Sequence, residues 1–103
     1  MRKIIKGKIY DTKKAKLIAE YSNELPSTDF NHLYEDLYLT ISGQFFLHAQ
    51  GGPLTKYSES NGNETWGIET ISLLNYDQTY AWLEKHDKVD EIETYFSKMI
   101  EEG

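Results

Sequence analysis

His32-Leu33-Tyr34-Glu35-Asp36-Leu37-Tyr38-Leu39-Thr40-Ile41, then Ser42-Gly43, then Gln44-Phe45-Phe46-Leu47-His48-Ala49 is the stretch whose reading decides the fold. Its first arm mixes leucine, tyrosine, threonine and isoleucine in near alternation, the period of a strand with one face buried. Ser42-Gly43 reads as a two-residue turn, and the second arm returns with two phenylalanines and a leucine. A central antiparallel hairpin follows, with Phe46 and Leu37 or Leu39 expected in the core. Side chains along a strand alternate between faces, so placing Leu33 and Leu37 inside puts Tyr34 and Tyr38 outside beside Asp36.

Working outward, Gly51-Gly52-Pro53 closes the hairpin, because glycine takes positive φ easily and proline ends strand pairing. Leu54–Asn63 reads as a loop or short strand around Lys56-Tyr57, ending in the turn-rich Ser60-Asn61-Gly62-Asn63. Glu64–Leu74 reads as one further strand with a bulge at Gly67. Asn75 begins a helix, with Gln78 three residues on as its reciprocal cap. Asp87 starts a last helix on Val89, Ile92, Phe96, Met99 and Ile100, a clean helical spacing. Upstream, Ile4, Ile5 and Ile9-Tyr10 read as a strand or a pair of strands bent about Gly7. Asp11-Thr12 then offers an N-cap to a short helix over Lys13–Glu20, with Ala15, Ile18 and Ala19 on its apolar stripe. The order is β-α-β-β-β-α-α. It implies an α+β domain, a small antiparallel sheet of three or four strands with helices packed on one face.

The chain has 103 residues, room for one domain and one core. It has no cysteine, which excludes disulfides and thiolate metal sites and fits a reducing bacterial cytoplasm. No apolar run suits a signal peptide or a membrane span, so no membrane partner is expected. Charge is divided unevenly. Met1–Lys16 carries Arg2, Lys3, Lys6, Lys8, Lys13, Lys14 and Lys16 against Asp11, a balance of +6, whereas residues 17–103 stand at −12, leaving −6 overall. Such a body attracts basic surfaces and repels duplex DNA, the basic segment 1–16 notwithstanding.

No catalytic set emerges. The serines lie in turns or in the 69–73 strand, without a neighbouring histidine base and orienting group. Gly51-Gly52-Pro53 lacks the helix and the lysine-serine/threonine pair of a phosphate loop. His32 and His48, at opposite ends of the two hairpin arms, leave a zinc site open if Glu35, Asp36 or a loop carboxylate joins them, although no short-spaced ligand pair exists. Asp87–Glu91 lacks the spacing of a calcium loop. No other cofactor is expected. What remains is a small acidic binding module. Its expected contact residues are Tyr34 and Tyr38 as anchors with Glu35, Asp36, Glu59, Glu64 and Glu69 around the sheet. The acidic C-terminal helices, with Glu84, Asp87, Asp90, Glu91 and Glu93, form the alternative face.

Several segments together carry a resemblance. They are Lys8-Ile9-Tyr10-Asp11-Thr12 with Ala15; Asp29-Phe30; Glu35-Asp36-Leu37-Tyr38; Gly43-Gln44-Phe45-Phe46-Leu47-His48 with Gly51-Gly52 and Tyr57; Trp66 with Ile71-Ser72-Leu73; and Ala81-Trp82-Leu83-Glu84. The chain resembles a family of small proteins carried on phages and conjugative elements of Firmicutes. Members of that family carry cysteines that this chain lacks, so no thiol or metal role passes to it. By size, charge and genomic type the resemblance implies an inhibitor of host defence, an anti-CRISPR protein that blocks a type II RNA-guided effector nuclease in the host cytoplasm. The alternatives are a mobile-element accessory protein that binds another basic host protein, and a small metal-binding protein.

Overall fold

The computed structural model describes residues 1–99. Its main sheet has four antiparallel strands in the order β3-β4-β5-β8, with β3 Lys16–Ser22, β4 Leu33–Leu39, β5 Phe45–Gly51 and β8 Glu69–Leu74. Two separate two-stranded ribbons accompany it: β1 Arg2–Ile5 with β2 Lys8–Asp11, and β6 Ser58–Asn61 with β7 Glu64–Gly67. Helices α1 Tyr76–Lys85 and α2 Val89–Tyr95 follow, then a 3-10 turn at Ser97–Met99. The α+β expectation holds, with the 33–49 hairpin at the centre of the sheet. Two ribbons outside the sheet account for a radius of gyration of 15.1 Å, against about 13 Å for a compact chain of this length.

The hairpin register pairs Leu39 with Phe45 and Leu33 with Gly51. Its turn is one residue longer than the sequence suggests. Gly43 N–H donates to Thr40 C=O and Thr40 N–H to Gln44 C=O, so Ile41, Ser42 and Gly43 form the loop. Gly43 takes the left-handed residue of that loop at φ 93°, the three-residue hairpin geometry in which a turn is followed by a single left-handed position.

Strand parity divides the core in two. On one face Leu37, Phe45, Leu47 and Ala19 pack against Trp82, Leu83, Ile92 and Phe96 of the helical layer. On the other, Phe46 and Ile71 pack with Tyr10 of the N-terminal ribbon, and Ile5, Ala15, Tyr38 and Leu73 close around them. Phe46 is therefore fully buried as expected, but on the opposite side of the sheet from Leu37. Tyr38 stacks on Phe46 at 5.2 Å between ring centroids instead of standing in solvent.

Four further expectations are corrected. Lys13–Glu20 is not a helix. Asp11 does cap one turn, its carboxylate accepting from Lys13 N–H at 2.9 Å, but Lys16–Ser22 then extends along β4. Ala19 and Tyr21 face the helices while Glu20 and Ser22 face away; a ladder of tertiary hydrogen bonds overrides the local preference for helix. Glu64–Leu74 is two strands, since β7 pairs β6 and β8 pairs β5. Gly67 marks the break: a Cβ there would run into the Gly51 carbonyl oxygen, and one at Gly52 into that of Phe30. The glycine pair 51–52 thus serves close backbone approach, and neither residue has positive φ. The last helix starts at Val89, after Asp87 in the left-handed region, and Val89 is exposed. Ile92 and Phe96 carry its packing, and Ile100 lies outside the described residues.

Other expectations stand. Lys6-Gly7, both at positive φ, join β1 to β2. Asn75 and Gln78 close the reciprocal cap of α1, with Asn75 Oδ1 accepting from Gln78 N–H at 2.8 Å and Gln78 Oε1 from Asn75 N–H at 2.9 Å.

Phe46→Ala should cost about 3–5 kcal/mol, the range for a fully buried ring. Urea unfolding of the two proteins measures it, and a near-neutral result would remove Phe46 from the core.

Candidate functional site

The residues expected to meet a partner do not form one surface. Tyr34, Asp36 and Tyr38 share a face of β4, and Glu69 joins them through β8. The N-terminal ribbon covers the Tyr38 end of this face. At the other end Asp36 pairs across β4 with Glu20 on one side and His48 on the other. His48 Nε2 lies 2.8 Å from Glu69 Oε2, and the Tyr34 ring meets the His48 ring edge-on at 5.8 Å. Burial raises the Asp36 carboxyl above its ordinary range and Glu20 raises it further, while His48 opposes them. The Tyr34 phenol is likewise pushed up, by burial first, then by Glu69 and Asp36. These are the marks of carboxylates crowded on a half-open sheet. A shallow groove of about 520 Å³ runs along it, between Glu20, Ser22, Tyr34 and Asp36, with Lys88 at its rim.

Glu59 and Glu64 lie elsewhere, exposed on the β6–β7 ribbon, opposite Trp66 and Asn61. The helical acids Glu84, Asp87, Asp90, Glu91 and Glu93 belong to the layer behind the other face. His32 and His48 do not share a site: the His32 ring Nδ1 bonds to Asp29 C=O at 2.7 Å, while His48 sits with Glu69. Among the described residues no three His, Asp or Glu side chains gather as ligands for a metal.

Glu35 has a different place altogether. It is 2% exposed, on the helix-facing side of β4, and cannot touch a docking protein. Its carboxylate accepts hydrogen bonds from the Tyr57 hydroxyl, from Trp82 Nε1 at 3.1 Å and from Lys56 Nζ at 3.0 Å. Burial alone would raise its pKa, but the donors Tyr57, Lys56 and Trp82 outweigh burial and hold it below the usual carboxylate value. The Tyr57 phenol is raised correspondingly, by burial and by the carboxylate that takes its hydrogen bond. His86 Nε2 approaches Glu35 Oε1 at 3.7 Å, too far for a hydrogen bond, and has no other partner among the described residues. The ring is stacked on Tyr21 at 4.0 Å and abuts Trp82 at 4.7 Å. Burial lowers its pKa against the pull of Glu35, and Lys85, Lys88 and Lys56 add to the lowering, so His86 is neutral at pH 7.

The cluster draws on three parts of the chain: β4 supplies Glu35, the segment before β6 supplies Lys56 and Tyr57, and the end of α1 supplies Trp82 and His86. Its one sequence signal is the parity of Leu33-x-Glu35-x-Leu37-x-Leu39. If the leucines point inward, so does the glutamate, and an inward carboxylate needs donors. The donors lie 21 to 47 residues away along the chain, where no spacing announces them.

Glu35→Ala should destabilise the fold by about 3–5 kcal/mol, since it strands buried donors. Tyr57→Phe should cost about 1.5–3 kcal/mol, the range for a hydrogen bond to a charged group. Stability should also fall in acid by two routes. His86 takes up a proton on unfolding more readily than in the fold, so stability declines as pH drops below its unperturbed 6.5 toward its lower folded value. Glu35 adds a second decline below its unperturbed 4.5. In melting curves from pH 8 down to about 3, His86→Gln should flatten the first decline and leave the second.

Compared with protein-family models, curated proteins and solved structures, the chain matches none of them.

Proposed function

We propose that this chain is a small acidic protein-binding inhibitor that acts by occupancy. Its proposed target is a type II RNA-guided effector nuclease, whose target-DNA loading or cleavage it blocks. The observation that carries the reading is the half-open sheet face where Glu20, Asp36 and Glu69 crowd around Tyr34 and His48. A chain of net charge −6, with its cations concentrated in the first sixteen residues, presents this face as an attractive surface to a basic protein. Tyr34 supplies an aromatic body of the kind that anchors interfaces. The effector holds guide and target in positively charged channels and reads its flanking motif with arginines. An acidic face of this kind complements such a surface, gaining rate from charge attraction and affinity from desolvated contacts. The resemblance to phage and conjugative-element proteins selects this partner over other basic proteins.

The contact set is narrower than the sequence suggests. Tyr34, Asp36 and Glu69 with Glu20 form its centre; Tyr38 is committed to Phe46, and Glu35 to the interior. Glu59 and Glu64 contribute only at a distance, from their ribbon.

In a cleavage assay with purified effector, guide and target, inhibition should be complete near one equivalent and weaken as salt screens the attraction. The double reversal Asp36→Lys with Glu69→Lys should weaken inhibition more than about tenfold while leaving the circular dichroism spectrum unchanged. Normal cutting by effectors of several Firmicutes hosts in molar excess of the protein would reject those effectors as targets. Inhibition far below one equivalent would point to turnover instead of occupancy.

Duplex DNA alone should not bind at physiological salt, because the acidic body outweighs the basic ribbon. A micromolar, salt-sensitive gel shift abolished by neutralising Lys3, Lys6 and Lys8 would reverse that expectation.

A further inference from the structure

Between residues 17 and 103 the chain has four lysines, and three of them, Lys56, Lys85 and Lys88, lie near enough to His86 to oppose its protonation. Lys56 and Lys85 line one groove with it, about 370 Å³ in volume, whose walls include Tyr21, Leu33 and Leu54. Lys88 lies beyond Tyr21, on the neighbouring groove that Tyr21 also lines. Glu35 also lines the groove, so two ammonium groups there stand against one carboxylate in an otherwise acidic body.

Neither groove lysine is used up. Lys85 is exposed and makes no ion pair among the described residues. Lys56 spends one of its three donors on Glu35, and its side chain is still 58% exposed. Glu35 keeps Tyr57 and Trp82 if Lys56 turns away. Beside them sits His86, its side chain 7% exposed, with a buried Nε2 that has no hydrogen-bond partner among the described residues. A buried polar atom without a partner is uncommon enough to need a reason.

We propose that this groove is a binding site for a carboxylate carried on an apolar or aromatic body, its oxygens held between Lys56 and Lys85 and its body against Leu33, Leu54 and the Tyr21 ring. Two charge-assisted hydrogen bonds fix the anion, and the apolar walls supply the burial that a small ligand needs. The acid answers the excess positive charge of the site. An added cation would instead meet two or three lysines against the already saturated Glu35. His86 is a positioning residue, not a contact. The titratable groups around it are Tyr21 from β3, Glu35 from β4, Lys56 from the segment before β6, and Lys85 and Lys88 at the two ends of the α1–α2 connection. An anion that offsets the lysines removes part of what keeps the imidazole neutral. Binding then favours protonation of the His86 imidazole, whose positive charge the nearby Glu35 carboxylate also favours. The ligand consequently binds more tightly as pH falls through the titration of His86. This site shares Tyr21 with the groove beside the acidic face, but neither Asp36 nor Glu69 lines it, so the two readings are tested by different substitutions.

The test is a two-dimensional NMR titration of the full chain with N-acetylphenylalanine and with its neutral amide, repeated with a tetrapeptide ending in phenylalanine as free acid and as amide. The free acids should shift Tyr21, Lys85 and His86 resonances, and the amides should bind at least about tenfold more weakly. Binding of the small acid alone identifies a metabolite-sized ligand, and binding of the peptide acid as well identifies a chain terminus; either supports the site. Lys85→Gln, at an exposed ammonium group with no ion pair among the described residues, should weaken the acid about tenfold with the fold intact. Affinity should rise as pH is lowered below the unperturbed 6.5 of His86, and His86→Gln should remove that rise without abolishing binding. Equal binding of acid and amide, an unaffected Lys85→Gln, or shifts confined to residues outside the groove would each overturn the proposal.

Discussion

A single carboxylate, Glu35, sets the terms for much of this fold. An ionised group buried in the helix-facing core is tolerable only when its lone pairs are occupied, because desolvation otherwise exceeds anything the charge returns. Tyr57, Trp82 and Lys56 occupy them, and they come from a loop, a helix and a surface side chain. Satisfying the carboxylate therefore ties the 52–57 segment and α1 to β4 in one arrangement. Apolar contacts alone would hold these parts with less angular precision, since hydrophobic attraction has no direction. Neutral His86 belongs to the same constraint. It fills the space beside Glu35 without adding a charge that three lysines would oppose.

The sheet is covered unequally. Its helix-facing side is closed along the strands by Trp82, Leu83, Ile92 and Phe96. The opposite side is closed at one end only, where Tyr10 of the N-terminal ribbon meets Phe46 edge-on at 5.8 Å. The uncovered end is polar and acidic. The uneven charge along the chain becomes spatial in this way: the basic ribbon sits over one end of a face whose other end carries Glu20, Asp36 and Glu69. Exposed on the outside of the ribbon are Ile4 and Ile9, paired across its strands.

These two surfaces suit different chemistries. The open acidic end is broad and shallow, a shape for a protein surface of opposite charge, where area and steering matter more than enclosure. The groove beside His86 is narrower, mixes apolar walls with two ammonium groups, and suits a small anionic group. The two grooves share Tyr21 but no charged group, so the inhibitor reading and the carboxylate site make different demands on the charges of the molecule.

Much of the fold was legible in local pattern. The alternation of residues 33–39 and 45–49 fixes a hairpin because side-chain direction in a strand has period two. Asn75 with Gln78 marks a helix start because both ends of that cap lie within one turn. The charge asymmetry is likewise a property of the chain itself. Only the tertiary structure decided that Lys16–Ser22 extends instead of coiling, since its hydrogen-bond partners are on β4, more than ten residues away. It also decided that Glu64–Leu74 divides between two sheets at Gly67, where backbones meet too closely for any side chain. And it decided the fate of Glu35, which the sequence offers as one more acid in a hairpin. Its donors and its histidine neighbour are brought together by packing, which acts between residues that no sequence period relates.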